Sequence, residues 1–172
     1  MRDEDAMVAG DAARALGALG KSASPSVAAL VETLSHEDAY VRVYAAEALA
    51  SIGPGAAPAT NSLAEALSDP APGVRWAACE ALAGIGPAAQ SAVPRLIEAL
   101  DDEFLYVRIF AAGALGSIGP TAQSARDALK AALNDSALRN EAEWALSRIA
   151  GDKSTSPVTP HVVPAEIGRA HV

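Results

Sequence analysis

Apolar residues along the chain recur at the spacing of an α-helix. When successive residues of segment 41–54 are rotated by about 100°, one face carries Val41, Ala45, Ala48, Leu49 and Ile52. Gly53 and Pro54 follow directly, and this pair is typical of a helix end. The segment therefore predicts an amphipathic helix with one face in a hydrophobic core. Since no segment alternates apolar and polar residues over a useful length, we expect no strands.

The same pattern occurs three times, at intervals of 33 residues. VRVYAAEALASIGP begins at Val41, VRWAACEALAGIGP at Val74 and VRIFAAGALGSIGP at Val107. A looser copy occupies Glu4–Val8. Another occupies Leu138–Gly151, and it begins two residues earlier than the 33-residue step would place it. Self-similarity at this period predicts a solenoid, in which each unit covers the apolar face of its neighbour.

Each unit contains a second amphipathic segment. In SAVPRLIEAL (91–100) a proline lies early, where a helix tolerates a missing N–H, and apolar residues follow at helical spacing. We therefore predict an all-α solenoid, 4–151, of about nine helices. One helix at 4–20 has no partner, and four pairs form repeats at about 21–53, 54–86, 87–119 and 120–151.

Composition narrows the possible partners. The chain of 172 residues carries a formal charge of −8 and is 51% hydrophobic but only 4% aromatic. Without a basic stripe to neutralise phosphates, nucleic acid is not expected, and the acidity suits a basic or neutral partner. Cys79 takes the place of Ala46 and Ala112, which predicts a small buried side chain. No membrane span or signal peptide is recognised, so we expect a cytoplasmic monomer.

The repeated core V-R-x-x-A-A-x-A-L-x-x-I-G resembles the short HEAT-like repeat of the phycobilisome-lyase type, whereas the ankyrin T-P-L-H and tetratricopeptide W-x-x-L-G patterns are absent. The resemblance covers about residues 4–151. It implies a right-handed α–α superhelix in which the second helix of each repeat lines the concave side. Most proteins of this kind are binding scaffolds, and a few are enzymes.

The resemblance also implies a structural ladder, built from an aspartate in each turn and an arginine six residues later. This spacing is met by Asp69 with Arg75 and by Asp102 with Arg108, and it is compressed for Asp135 with Arg139. In the first unit His36 replaces the aspartate. We expect each carboxylate to cap its second helix and to face guanidinium groups of adjoining units.

The positions that vary between copies point away from the core stripe or lie on its flank. In the fold that the resemblance implies, these variable positions line the concave side. We expect this strip to bind a protein or peptide, without catalysis and without a cofactor. The candidate residues are Tyr40, Val43, Tyr44, Glu47, Trp76, Glu80, Tyr106, Ile109, Phe110, Asn140, Trp144 and Arg148. Trp76 points directly away from the core stripe and is expected to be the exposed centre of the strip. The alternative is that these aromatic residues pack between neighbouring second helices.

Two enzyme classes within the resemblance are alternatives. A bilin lyase would need a groove for a tetrapyrrole, and aromatic residues could line one. Deoxyhypusine hydroxylase opens its second helices with His-Glu pairs that bind iron, but the corresponding places read Val43–Tyr44, Trp76–Ala77, Ile109–Phe110 and Asn140–Glu141. The only His-Glu pair is His36–Glu37, which lies in a turn, so no metal site is expected.

The C-terminal segment departs from the repeat. Residues 152–172 contain three prolines and little amphipathicity, which predicts a disordered tail. The last seven residues, Glu166–Val172, can be back-translated into DNA that resembles a sequencing adaptor. We therefore expect these seven residues to be an artefact and the chain to be a fragment of a longer array.

Overall fold

The computed structural model describes residues 4–152 and 154, and these residues form nine α-helices and no strands. The helices are α1 (Glu4–Leu19), α2 (Val27–Thr33), α3 (Ala39–Ile52), α4 (Thr60–Ala66), α5 (Pro72–Ile85), α6 (Val93–Ala99), α7 (Leu105–Ile118), α8 (Arg126–Ala132) and α9 (Arg139–Ile149). The prediction of an all-α solenoid is confirmed. The predicted disordered tail lies outside the described residues, apart from Asp152 and Ser154.

The helices form two layers. The long helices α1, α3, α5, α7 and α9 pack side by side in sequence order, and we call them the second helices. The short helices α2, α4, α6 and α8 are the first helices, and each packs on the second helix that follows it. Every unit therefore contacts mainly its neighbours, as expected for a solenoid.

The connection from each second helix to the next first helix is a 3₁₀ segment. These segments are Gly20–Ser26, Gly53–Ala59, Gly86–Ala92 and Gly119–Ala125. Gly53 ends α3 with φ of 68°, a left-handed conformation that costs little only for glycine. Residues 91–100, expected to be one helical stretch, divide so that α6 begins only at Val93.

The core follows the stripe that the sequence predicts. Val41, Ala45, Ala48, Leu49 and Ile52 are each at most 1% exposed. Small residues let the second helices approach closely: a Cβ on Gly17 would lie 3.2 Å from the Cα of Ala48. Cys79 is buried, and burial raises the pKa of its thiol well above the usual range.

No helix within the described residues combines the length and the apolar character needed to cross a bilayer.

Candidate binding face

One edge of the solenoid is held by the aspartate–arginine ladder. Arg42 donates to Asp69 from Nε at 2.7 Å and from Nη2 at 2.8 Å. Arg75 binds Asp102 in the same two-pronged way, at 2.7 and 2.9 Å. The side chains of both pairs are only 9–12% exposed. Each carboxylate therefore faces the arginine of the preceding unit, in the geometry that suits a guanidinium group best.

Each ladder residue also ties down backbone in its own turn. The Asp69 carboxylate accepts a hydrogen bond from the N–H of Ala71 at 2.8 Å. Arg75 donates from Nη1 to the carbonyls of Asp69 and Pro70 at 2.9 and 3.3 Å, and its guanidinium carbon lies 5.4 Å from the centre of the Phe104 ring. One side chain thus fixes both a turn and the contact between two units.

The charges of this pair shift one another's pKa. Burial alone would raise the pKa of Asp102, but hydrogen bonds from Arg75 and from the N–H of Phe104 outweigh it and hold the pKa below its usual range. The hydrogen bond to Asp102 in turn raises the pKa of Arg75. Both groups are therefore ionised and paired at neutral pH.

The first unit departs from the ladder at two matching positions. His36 stands where the other units have aspartate, and its Nδ1 accepts the N–H of Asp38 at 3.0 Å. This is the bond that Asp69 makes to its own turn. The residue 33 positions before Arg42 is Ala9, so no arginine stands at the equivalent place to face His36. Sequence reasoning did not single out Arg42, although the same 33-residue step marks it.

The last rung is looser than the others. Arg108 Nη2 lies 3.6 Å from Asp135, and these side chains are 23% and 39% exposed. Arg139 follows Asp135 by four residues instead of six, and α9 begins only at Arg139, whereas α7 begins three residues before Arg108. Arg139 donates from Nε to the carbonyl of Leu133 at 3.1 Å. A cavity of about 570 Å³ opens beside this turn, lined in part by Ile97, Leu100, Arg108, Asp135 and Leu138.

The twelve candidate residues on the second helices, which we call the second-helix strip, differ widely in exposure. Tyr106 is 41% exposed and Asn140 is exposed. Trp76 and Trp144 are buried, at 6% and 8%. The remaining members are half-buried: Tyr40, Val43, Tyr44, Glu47, Glu80, Ile109, Phe110 and Arg148.

The expectation that Trp76 is an exposed anchor is wrong. Its ring centre lies 5.6 Å from that of Phe110, and its Nε1 is 3.8 Å from where a Cβ on Gly73 would stand. A helical wheel measures direction from one core stripe, but α5 is flanked by α3 on one side and α7 on the other. Both flanks of the helix are therefore buried, and a large indole ring reaches across to one of them.

Trp144 is buried for a related reason. Its indole fills the space that a side chain on Gly116 would take. One turn earlier, the Glu141 carboxylate lies over Gly113, where an added Cβ would be 3.2 Å from Oε1, and Glu141 is only 3% exposed. Sequence reasoning did not identify Glu141 as buried. The signal was present in Gly113 and Gly116, because two small residues in α7 leave room for large ones in α9.

The accessible part of the strip centres on two carboxylates and a tyrosine pair. Tyr40 and Tyr44 meet edge-on, with ring centres 4.4 Å apart. Burial and the negative charge of Glu80 raise the pKa of Glu47 to about 7. Arg14 holds the position in α1 that corresponds to Glu47, but it is bonded to Asp11 at 3.0 Å. The charge of Glu80 thus opposes the ionisation of Glu47, whereas arginines favour the ionisation of Asp102 in the ladder.

Within residues 4–152 and 154, no three histidine, cysteine, aspartate or glutamate side chains converge as metal ligands. The one His-Glu pair, His36–Glu37, lies in the first turn, and His36 is engaged with backbone there.

Comparison with known proteins gives the fold a context. The family described as HEAT repeats matches residues 1–83 and 60–147. Among solved structures, an engineered protein is 28% identical with a TM-score of 0.72, over 87% of this chain and 78% of that one. No curated protein sequence matches the chain.

Two further solved structures resemble the solenoid. The complex of CpcE and CpcF of phycocyanin lyase from Nostoc sp. PCC7120 is 26% identical with a TM-score of 0.61, over 78% of this chain and 86% of that one. A designed armadillo repeat protein in complex with the peptide (KR)4 is 21% identical with a TM-score of 0.68, over 82% of this chain and 74% of that one. The latter likeness concerns the fold alone.

Proposed function

Because the chain belongs to the HEAT-repeat family, we propose that it is a non-catalytic scaffold that binds a protein or peptide segment along the second-helix strip. Core and ladder residues repeat from unit to unit, since their packing is the same in each. The strip residues change from unit to unit. The half-buried and exposed members of the strip are less constrained by packing than the core, and such positions can differ where a partner is recognised.

The observation that carries this proposal is the like-charged pair Glu47 and Glu80. Burial and the negative charge of Glu80 both disfavour the ionised form of Glu47, and a cation beside Glu47 would favour that form. We infer that the bound segment presents a lysine or arginine to Glu47 and Glu80. Tyr44 lies close enough to Glu47 to be affected by its charge and meets Tyr40 edge-on, so this tyrosine pair offers ring surface to the apolar stem of that residue.

The corrected positions of the tryptophans change which residues make contact. Trp76 and Trp144 support the strip from beneath, because both are buried. The contacting residues are the half-buried and exposed members of the strip. The designed armadillo protein that binds (KR)4 supports the idea that a solenoid of this shape accepts an extended basic peptide.

Fluorescence anisotropy with a labelled peptide of alternating lysine and arginine tests the proposal. We expect binding that weakens on the order of tenfold when Glu47→Gln and Glu80→Gln are combined. The matched control combines Glu32→Gln with Glu65→Gln, which changes the net charge equally on exposed positions of the first helices. Equal weakening by both double variants would show that only net charge matters, and the proposal would fail.

A tetrapyrrole-binding lyase subunit is a second candidate, favoured by the likeness to the phycocyanin lyase complex. In this reading the aromatic members of the strip would contact the bilin. Adding phycocyanobilin to the purified chain and recording absorbance separates the candidates. A shifted and intensified visible band that Tyr44→Ala reduces would favour the lyase reading, and an unchanged spectrum favours the peptide scaffold.

A further inference from the structure

The cavity beside the last turn lies between two consecutive repeats. Its volume is about 570 Å³, within the range of small-molecule sites in proteins. Ile97 and Leu100 of the third repeat line one side, and Ala128, Ala131 and Ala132 of α8 line the other. It shares no lining residue with the second-helix strip. Both walls therefore belong to adjoining units of the described solenoid, away from its first helix.

Small residues on α8 leave room for this cavity. A step of 33 residues back from Ala128 and Ala131 leads to Arg95 and Glu98 on α6, which bond to each other at 3.0 Å. The fourth repeat thus carries two methyl groups where the third repeat carries two long charged side chains. The cavity is a specific departure from the repeat pattern rather than a property of every unit.

The turn of the fourth repeat is small in the same way. Ala137 and Phe104 each donate an N–H, at 2.9 Å, to the aspartate two residues earlier, so the two residues correspond. The ring of Phe104 lies 5.4 Å from the guanidinium carbon of Arg75. The corresponding place in the turn that faces Arg108 carries only a methyl group. Arg108 is accordingly more exposed, at 23% of its side chain against 9% for Arg75.

Arg108 lines the cavity and has two nitrogens that the fold does not use. Its Nη1 donates to two carbonyls of its own turn at 2.9 and 3.2 Å, which holds the guanidinium group in place. Its Nη2 is 3.6 Å from Asp135, too far for a hydrogen bond, and Nε has no hydrogen-bond partner among the described residues. We call Nε and Nη2 the Arg108 fork. In Arg42 and Arg75 the same two nitrogens hold a carboxylate, so the Arg108 fork suits one from a ligand.

The remaining charges of the lining are negative. Asp101, Asp102 and Asp135 contribute three carboxylates, and Arg108 is the one cation in the described lining. Asp102 is neutralised by its ladder partner, whereas Asp101 is exposed and Asp135 is only loosely paired. These two carboxylates would repel a ligand that carries a carboxylate alone. They would attract one that carries an ammonium group as well.

We propose that this cavity binds a free α-amino acid with an aliphatic side chain. The α-carboxylate occupies the Arg108 fork, the α-ammonium group faces Asp101 and Asp135, and the side chain packs against Ile97 and Leu100. An amino acid carries both charged groups on one carbon, which matches an arginine and an aspartate that stand 3.6 Å apart. The site is separate from the second-helix strip and does not depend on the peptide-binding proposal.

Isothermal titration calorimetry of the full chain with L-leucine tests the proposal. We expect a dissociation constant on the order of 0.1 mM, as suits so small a ligand. Leucinamide keeps the ammonium group and the side chain but lacks the carboxylate. The acid 4-methylpentanoate keeps the carboxylate and the side chain but lacks the ammonium group. Each analogue is expected to bind at least about tenfold more weakly than leucine.

Three variants locate the binding. Arg108→Gln removes the Arg108 fork and should weaken leucine binding on the order of tenfold or more. Arg95→Gln removes an equal charge at an exposed position of α6 outside the lining, and should leave binding unchanged. Ala128→Arg combined with Ala131→Glu copies the side chains of α6 into α8 at constant net charge. This double variant should fill part of the cavity and weaken binding, while circular dichroism shows that the helices remain.

Three outcomes would overturn the proposal. Leucine gives no binding heat at millimolar concentration, or either analogue binds as tightly as leucine, or Arg108→Gln and Arg95→Gln weaken binding equally. Binding of leucine that is lost with both analogues, and that Arg108→Gln and the double variant weaken selectively, would support it.

Discussion

The ladder and the second-helix strip both bring charged side chains of neighbouring units together, but in opposite ways. In the ladder Arg75 and Asp102 are joined at 2.7 and 2.9 Å, and the bonding holds the pKa of Asp102 low. In the strip Glu47 and Glu80 have the same sign, and the pKa of Glu47 rises to about 7. The ladder charges favour the ionised form of a carboxylate, whereas the strip disfavours it, and our proposal assigns the strip carboxylate Glu47 to a cationic partner.

The largest expected effect concerns the residue that sequence reasoning placed at the centre of the strip. Because Trp76 is buried against Phe110, Trp76→Ala should lower the free energy of unfolding by about 3–5 kcal/mol. Tyr106→Ala, at the exposed end of the strip, should change it by about 0.5 kcal/mol or less. Urea denaturation measures both. Similar stabilities of the two variants would mean that Trp76 is not packed as described.

Breaking a tight rung should cost more than breaking the loose one. Arg75→Met leaves a nearly buried Asp102 without its partner, and we expect a loss of about 3 kcal/mol. Arg108→Met acts on a pair that is 3.6 Å apart and more exposed, so about 1 kcal/mol or less is expected. Equal losses in urea denaturation would contradict the distinction between the rungs.

The Glu47 carboxylate of the strip should make the stability of the fold depend on pH in the opposite sense to a paired carboxylate. Folding raises the pKa of Glu47 from 4.5 to about 7, so the folded state holds its proton more tightly than the unfolded chain. Stability is therefore greatest below about pH 4.5 for this group and falls as pH rises to about 7. Glu47→Gln should be more stable than the original chain at pH 8 by about 1 kcal/mol, after allowance for solvent screening. No difference between pH 5 and pH 8 would contradict this.

The sequence predicted the elements of the fold well because one pattern is repeated. The stripe of Val41, Ala45 and Ile52, the glycine at each helix end and the count of helices all follow from local spacing. Exposure on the strip could not be predicted from one helix. Whether Trp76 is buried depends on Phe110, which lies in the next unit, and whether Trp144 is buried depends on Gly116. These contacts are set by packing between helices that a helical wheel leaves out.

The ladder shows the same limit in a milder form. The regular spacing in the sequence identified the aspartates and most arginines of the ladder. It did not identify the pair of Arg42 with Asp69, whose members lie in different units. The Arg108–Asp135 rung is loose where the spacing from Asp135 to Arg139 is two residues shorter than in the other units, and the sequence alone does not give the 3.6 Å between the groups.

Carboxyl-carbon NMR of Glu47, with and without the lysine–arginine peptide, tests the central claim most directly. The account predicts a pKa of about 7 in the free protein, because burial and Glu80 oppose ionisation. It predicts a fall of this pKa toward the usual range when the peptide is bound, because a cation then lies beside the carboxylate. A pKa near 4.5 in the free protein, or one that the saturating peptide leaves unchanged, would contradict the claim that the partner places a cation beside Glu47.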